Sequence, residues 1–178
     1  EEEYCIGDAL KDCGYQTGYI GKWHLDEPDK NHSENPESGA RNWDAFTPPG
    51  VRRHGFDFWY SYGDWDQHMT PHYWKDTPEQ IKVQDWSPRH ETDVALDYIE
   101  SHAGGDPFAL FISWNPPHSP YDLVPQEYLD LYPEDYDGKH FDWPRGQVDQ
   151  SEAEVNHCRR QYKALVSMCD KNLGRVLD

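Results

Sequence analysis

The chain has 178 residues, of which 34 are acidic and 16 basic, so its formal net charge is −18. This excess of negative charge disfavours binding to nucleic-acid backbones and to anionic membrane surfaces, because like charges repel. Only 35% of the residues are apolar while 15% are aromatic, and no run approaches the ~18 apolar residues of a membrane-spanning helix. We therefore expect one domain with an aromatic-rich core, no membrane span and no nucleic-acid partner.

The first predicted elements are a helix over about residues 4–11, ended by Gly14, and a strand running into a loop over residues 15–24. Polar, turn-rich sequence follows from 26 to 55, and then an aromatic, irregular stretch from 56 to 86. Another helix is predicted over 90–102, with Thr92 as its candidate N-cap. The apolar run at 107–114 indicates a strand buried on both faces.

Ser151 and Glu154 form a capping-box pattern at the start of a long amphipathic helix that continues to residue 177. The alternation of helices and strands along the chain predicts an α/β fold, in which helices flank a mostly parallel sheet. The four cysteines contain no CxxC pair, so we expect small buried side chains rather than a zinc knuckle or disulfides. They are Cys5, Cys13, Cys158 and Cys169.

Ligands of parallel sheets collect beyond the carboxyl ends of the strands, and two such ends carry candidate functional residues. Lys22 and His24 are two positions apart on extended chain, which puts both side chains on one face. An ammonium beside an imidazole suits a tetrahedral oxyanion, although a solvated lysine and a surface histidine have the same spacing. His118 follows two prolines that restrict the backbone, as either a catalytic or a structural histidine would require.

His68 and His72 are four residues apart, but Pro71 argues against the helix on which that spacing would chelate a metal. Trp65 precedes them in a stretch where aromatic side chains alternate with polar ones. Aromatic faces pack on sugar rings, so we predict that Trp65, His68 and His72 contact a substrate. The alternative is that these rings only pack a loop-rich region poor in aliphatic residues.

Residues 14–24 resemble the second signature of the type I, formylglycine-dependent sulfatases; they read Gly14-Tyr-Gln-Thr-Gly-Tyr-Ile-Gly-Lys-Trp-His24. The stretch from Phe108 to Tyr121 is similar to the family's strand and proline-proline-histidine loop. Residues 55–59 and 168–178 resemble its glycine-phenylalanine-aspartate turn and its long helix. The resemblance implies a partial alkaline-phosphatase-like sulfatase fold and hydrolysis of an organic sulfate ester, and we expect that ester to be a carbohydrate sulfate.

By the same resemblance, Lys22 holds sulfate oxygens and helps to anchor the formylglycine hydroxyl. His24 hydrogen-bonds that hydroxyl and assists the breakdown of the enzyme-sulfate intermediate. His118 contacts the sulfate and protonates the leaving oxygen. Positive groups aimed at developing negative charge are what such a reaction requires.

The chain departs from the family pattern in the parts that activity needs. No cysteine is followed by the proline or alanine and the arginine of the nucleophile motif, and the aspartates that bind calcium are not recognisable. We expect the formylglycine and the calcium ligands outside this chain, which then is an internal segment that does not turn over substrate by itself. We also expect the complete protein to be periplasmic or secreted, and its partner to be a sulfated small molecule or glycan.

On this interpretation residues 1–178 are a partial sulfatase catalytic domain. Its parts are a helix and signature strand (1–25), a loop-rich insert (26–89), a helix, buried strand and histidine loop (90–121), a loop (122–150) and a long helix (151–178).

Two alternatives stay open: a phosphodiesterase or phosphonate hydrolase of the same superfamily, and a non-catalytic carbohydrate-binding homologue.

Because the net charge opposes a polyanionic substrate at long range, Arg52, Arg53 and Lys75 are expected to offset it locally.

Overall fold

The computed structural model describes residues 3–25, 44–137 and 151–178. In this part of the chain the helices are α1 (Ile6–Asp12), α2 (Ser87–His102), α3 (Gln126–Leu129) and α4 (Glu152–Leu177). The strands are β1 (Gln16–Lys22), β2 (Phe58–Tyr62), β3 (His72–Tyr73), β4 (Ile81–Lys82) and β5 (Phe108–Ser113). The chain divides into two compact units, Glu1–Asn115 and Pro116–Asp178. None of the described helices is both long enough and apolar enough to cross a bilayer.

The first unit is built on a parallel sheet with strand order β2-β1-β5. In β1, Ile20 pairs with Tyr60 of β2 on one side and with Ile112 of β5 on the other. The parallel α/β arrangement is thus confirmed. Strand β2 was missed, because Phe58–Tyr62 is buried at nearly every position and so lacks the polar–apolar alternation that reveals a half-buried strand.

Aromatic rings make up most of the core of this unit, as the composition predicts. One cluster joins Ile20 to buried tyrosines and a tryptophan of β2 and its neighbours, and to Ala95 of α2. A second cluster contains Trp23, Phe56 and Trp59, with Tyr19 packed against it. Tyr19 and Ile20 belong to different clusters because successive side chains of a strand point to opposite faces.

Helix α2 begins earlier than the sequence pattern indicated. Pro88 lies in its first turn, where the missing N–H of proline costs no hydrogen bond. Thr92 is therefore inside the helix, and its hydroxyl donates to the Pro88 carbonyl at 2.6 Å. The prediction that Thr92 caps the helix was wrong, and so was that of a fully buried strand at 107–114, since every residue of β5 is half-buried.

The second unit is organised by α4, whose predicted start is confirmed. The Ser151 N–H donates to the Glu154 carboxylate at 2.8 Å, and the Glu154 N–H donates to the Ser151 hydroxyl at 3.3 Å. Arg160 of this helix donates to the carbonyls of Leu129 and Tyr132, which holds the segment after α3 against α4. All four cysteines are free, as expected, but none is buried.

Candidate active site

The end of β1 places Lys22 and His24 side by side. Pairing with the neighbouring segment continues past the strand, because Trp23 N–H donates to the Tyr62 carbonyl at 2.9 Å and His24 N–H donates to the Gly63 carbonyl at 3.1 Å. Trp23 between them is buried among aromatic rings. His24 has φ 49°, a left-handed conformation that is uncommon for residues other than glycine and often marks functional positions.

Both side chains contact the same carboxylate, that of Asp64. Lys22 Nζ forms an ion pair with Asp64 Oδ1, and His24 Nε2 lies 3.3 Å from Asp64 Oδ2. The Lys22 and Asp64 side chains are 14% and 12% exposed, whereas that of His24 is 45% exposed. The prediction that Lys22 and His24 face the same side is confirmed, and the imidazole is the more accessible of the two groups.

Residues that follow β2 and β5 complete this cluster. Asn115 Oδ1 accepts from Lys22 Nζ at 3.3 Å, and Asp66 Oδ1 lies 3.9 Å from the same nitrogen. The Asn115 amide donates in turn to the Trp65 carbonyl at 3.0 Å. Segments after all three strands thus meet at the carboxyl edge of the sheet, as the rule for parallel sheets requires.

Sequence reasoning missed Asp64, Asp66 and Asn115 as members of the site. The two aspartates lie just after β2, a strand that the aromatic pattern did not reveal. Asn115 begins a proline-rich turn in which only the histidine attracted a prediction. The signal that could have found them is their position, because each polar side chain comes two to four residues beyond the end of a parallel strand.

The residues predicted to contact substrate lie in the segment between β2 and α2. His72 is buried, with its Nε2 2.7 Å from Asp44 Oδ2, and its ring centroid is 4.6 Å from that of Trp65. The other Asp44 oxygen accepts from the Gly63 N–H at 3.1 Å. His68 is 1% exposed. A role of Trp65, His68 and His72 in substrate binding stays a prediction.

His118 belongs to the second unit, where it is exposed and its Nδ1 lies 2.7 Å from the Ser119 carbonyl oxygen. Its predicted catalytic role stays a prediction.

A buried acid lies behind the end of β1. Glu91 of α2 is completely buried, and it accepts a hydrogen bond from the Tyr73 hydroxyl at 2.9 Å. Burial raises the pKa of this carboxyl well above its ordinary value, since a charged form is poorly solvated there. A Cβ added to Gly21 would lie 3.3 Å from Glu91 Oε2, so the acid adjoins the backbone that precedes Lys22.

Arg53, expected to offset the negative charge towards a substrate, has a structural role. Its guanidinium is buried, lies 5.0 Å from the centre of the Trp59 ring, and pairs with Asp76 at 2.7 Å. It also donates to the carbonyls of Thr47 and Lys75. With these contacts Arg53 stabilises its own loop.

The resemblance to the sulfatases implies a calcium ion and a formylglycine. Calcium prefers six to eight oxygen ligands. Within ranges 3–25, 44–137 and 151–178, the one group of three or more candidate ligands is Cys5, Asp8 and His54, whose sulfur and nitrogen do not fit that ion. None of the cysteines has the nucleophile motif either, so the described residues fit neither of these two groups.

Comparisons with known proteins agree with the sequence resemblance. A family model described as Sulfatase matches residues 1–178. The chain is 35% identical to an endo-4-O-sulfatase of Bacteroides thetaiotaomicron, covering 100% of this chain and 36% of that protein. It is 37% identical to an ulvan-active sulfatase of Formosa agariphila, covering 74% of this chain and 23% of that protein. The chain thus spans about a third or less of the length of these relatives.

Solved structures show the same fold. The sulfatase YidJ of Bacteroides fragilis matches with a TM-score of 0.85 and 37% identity, over 99% of this chain and 39% of that one. A Bacteroides thetaiotaomicron chain from work on glycosaminoglycan metabolism matches with a TM-score of 0.81 and 34% identity, over 99% of this chain and 38% of that one. The α/β architecture is therefore part of the alkaline-phosphatase-like fold of sulfatases, and the chain belongs to the sulfatase family.

Proposed function

We propose that this chain supplies part of the sulfate-binding site of a hydrolase that removes sulfate from carbohydrate sulfate esters. One observation carries the proposal: Lys22 and His24 contact the two oxygens of a single carboxylate. Their nitrogens are therefore spaced to hold two adjacent oxygens of one anion. A sulfate ester offers such a pair of oxygens.

In this proposal Asp64 is a positioning residue. It holds the ammonium and the imidazole next to each other, and its charge balances that of Lys22. The ammonium has three N–H donors and the imidazole has a second nitrogen, so both groups can keep Asp64 and still contact a substrate oxygen. Of the two groups only the His24 imidazole can both donate and accept a hydrogen bond, because the Lys22 ammonium is a donor alone.

His118 is proposed as a sulfate contact and as the group that protonates the leaving oxygen. The support comes from its exposed position and from the resemblance of its proline-rich loop to that of the sulfatases. A neutral alcohol is a far better leaving group than an alkoxide, so a proton donor at the bridging oxygen lowers the barrier.

A carbohydrate substrate is supported by the relatives, which are named an endo-4-O-sulfatase and an ulvan-active sulfatase. The structure adds a cavity of about 340 Å³ in the first unit, lined by Phe46, Trp74, Pro78 and Gln80. Its volume is at the lower end of ligand pockets, and its aromatic and amide side chains suit the faces and hydroxyls of a sugar. Trp65, His68 and His72 are proposed to contact the sugar as well.

The calcium ion and the formylglycine are proposed to be held by residues outside this chain. Export of the complete protein to the periplasm or the medium is likewise a proposal. Cell fractionation of the complete gene product tests the localisation directly.

The test of the function uses the complete gene product, produced in a host that installs formylglycine. Sulfate release is measured from an aryl sulfate and from sulfated oligosaccharides of glycosaminoglycan and ulvan. Lys22→Ala is expected to lower kcat ~10²–10³-fold, the usual effect of losing one donor to developing negative charge. His24→Ala is expected to lower it ~10²–10⁴-fold, as for the loss of a general acid or base.

Lys82→Ala is the matched control, because Lys82 is an exposed lysine of the same unit and its loss should leave kcat unchanged. Turnover by both active-site variants within tenfold of the wild type would reject the assignment of Lys22 and His24. Sulfated glycan binding without any sulfate release would instead favour the non-catalytic homologue. Faster hydrolysis of phosphodiesters than of sulfate esters would favour the other hydrolase class.

A further inference from the structure

We propose that Cys5, Asp8 and His54 form a binding site for a transition-metal ion, zinc above all, that shares no residue with the candidate active site. One ligand atom from each side chain, a thiol sulfur, a carboxylate oxygen and an imidazole nitrogen, lies within 4.8 Å of the other two. All three residues are half-buried. Two of them belong to the start of α1 and the third lies about 46 positions later, so tertiary packing brings the donors together.

The donor types select the ion. Thiolate and imidazole favour zinc and similar transition metals, whereas calcium and magnesium require oxygen ligands. Tetrahedral zinc with bonds of ~2.0–2.3 Å keeps its ligand atoms ~3.3–3.6 Å apart. The three candidate ligand atoms lie at most 4.8 Å apart, little more than ~1 Å wider than the spacing in such a zinc site. Side-chain rotations can remove this difference. Three protein ligands leave a fourth position for water, as in open zinc sites.

The backbone that carries the donors is held by close packing between two glycines and the opposite segment. A Cβ on Gly7 would lie 2.3 Å from the His54 carbonyl oxygen, and a Cβ on Gly55 would lie 2.3 Å from the Asp8 nitrogen. The backbone at the start of α1 is therefore in direct contact with the backbone of the turn at residues 54–55. Because the Cα positions of the donors are fixed in this way, an ion has only side chains to order, which lowers the entropic cost of binding.

The hydrogen bonds at the site leave ligand atoms for an ion. Asp8 Oδ2 accepts from the Cys5 N–H at 3.0 Å, and Asp8 has a second carboxylate oxygen. The thiol donates only weakly, to the Glu3 carbonyl at 3.7 Å. On binding, the sulfur–hydrogen bond breaks, a sulfur–metal bond forms and the proton passes to water. Affinity must consequently fall as the pH is lowered.

The experiment titrates the full chain, untagged and freed of metal by chelation, with Zn²⁺ in a calorimeter and with Co²⁺ in a spectrophotometer. We expect one ion per chain and a near-ultraviolet charge-transfer band from thiolate to cobalt. Cys5→Ser and His54→Asn should each weaken zinc binding by ~100-fold or more and Cys5→Ser should abolish the band. Cys13→Ser is the matched control, because this exposed cysteine next to the same helix is not part of the set.

Both substitutions are compatible with the local backbone. Serine is a preferred N-cap residue, and asparagine tolerates the left-handed conformation of His54, whose φ is 45°. Circular dichroism verifies folding, and each variant tests the site independently if the other fails to fold. The proposal is overturned if the folded wild type binds no zinc. It is equally overturned if Cys5→Ser or His54→Asn retains the affinity and spectrum of the wild type, or if Cys13→Ser loses as much.

Discussion

Replacing Glu91 with glutamine should stabilise the first unit increasingly as the pH rises. Glu91 is completely buried, and burial raises its pKa in the folded protein well above that of an exposed carboxyl. Below the unfolded pKa of ~4.3 both states bind the proton, and the residue costs nothing through titration. As the pH rises beyond that value the unfolded state releases its proton first, so folding loses stability until the folded pKa is passed.

The magnitude follows from this difference in proton binding. For one group the free energy of unfolding falls by ~1.4 kcal/mol for each pH unit between the unfolded and the folded pKa. Glu91→Gln keeps the shape of the side chain and an oxygen that accepts from Tyr73, whose hydroxyl lies 2.9 Å from Glu91 Oε1, but it cannot ionise. The advantage of the variant should therefore grow at that rate and then level off.

The assay is urea unfolding at pH 4, 5, 6 and 7, followed by tryptophan fluorescence. Seven of the eight tryptophans lie in the first unit, so the signal reports mainly on it. Glu100→Gln, which replaces an exposed carboxylate of the same helix, is the control and should show no such trend. Parallel stability profiles of Glu91→Gln and wild type across this pH range would refute the reasoning.

Three further substitutions test the packing within each unit, each by denaturant unfolding. Gly21→Ala should lower the free energy of unfolding by more than ~2 kcal/mol, because φ is 100° and the new Cβ would lie 2.2 Å from the Ser113 carbonyl oxygen. The control Gly14→Ala, also at a left-handed glycine but with nothing within 4 Å of the new Cβ, should lower it by only ~1–2 kcal/mol. Equal losses would contradict the close approach at Gly21. Ser151→Ala should cost ~1 kcal/mol by removing the N-cap of α4, and an unchanged midpoint would show that the cap is not used. Arg53→Ala should cost ~3 kcal/mol or more, because it leaves buried carbonyls without donors; a loss below 1 kcal/mol would show that the loop does not depend on it.

The elements with strong local signals could be predicted from the sequence. The start of α4 follows from Ser151 and its capping partner, and β1 follows from its β-branched and aromatic residues. The start of α2 could not be placed. Thr92 is a residue type that commonly caps helices, whereas Pro88 indicates only that the backbone is restricted. Whether the helix begins near Pro88 or at Thr92 depends on burial in the tertiary structure, which the local sequence does not show.

The candidate site was half predictable for a similar reason. Lys22 and His24 are only two residues apart, so their proximity follows from the local sequence, although His24 lies beyond the end of β1 with φ 49°. Asp64 and Asn115 reach them only through the strand order β2-β1-β5, which is a property of the whole sheet. The missed strand β2 therefore concealed the carboxylate that the lysine and the histidine share.

The most direct test of the central claim is a crystal structure of the complete protein with a bound sulfated oligosaccharide or sulfate ion. The account predicts that Lys22 Nζ and a His24 ring nitrogen each lie ~2.7–3.2 Å from oxygens of one sulfate group. A sulfate group bound at the catalytic centre with Lys22 and His24 out of hydrogen-bonding range would contradict it.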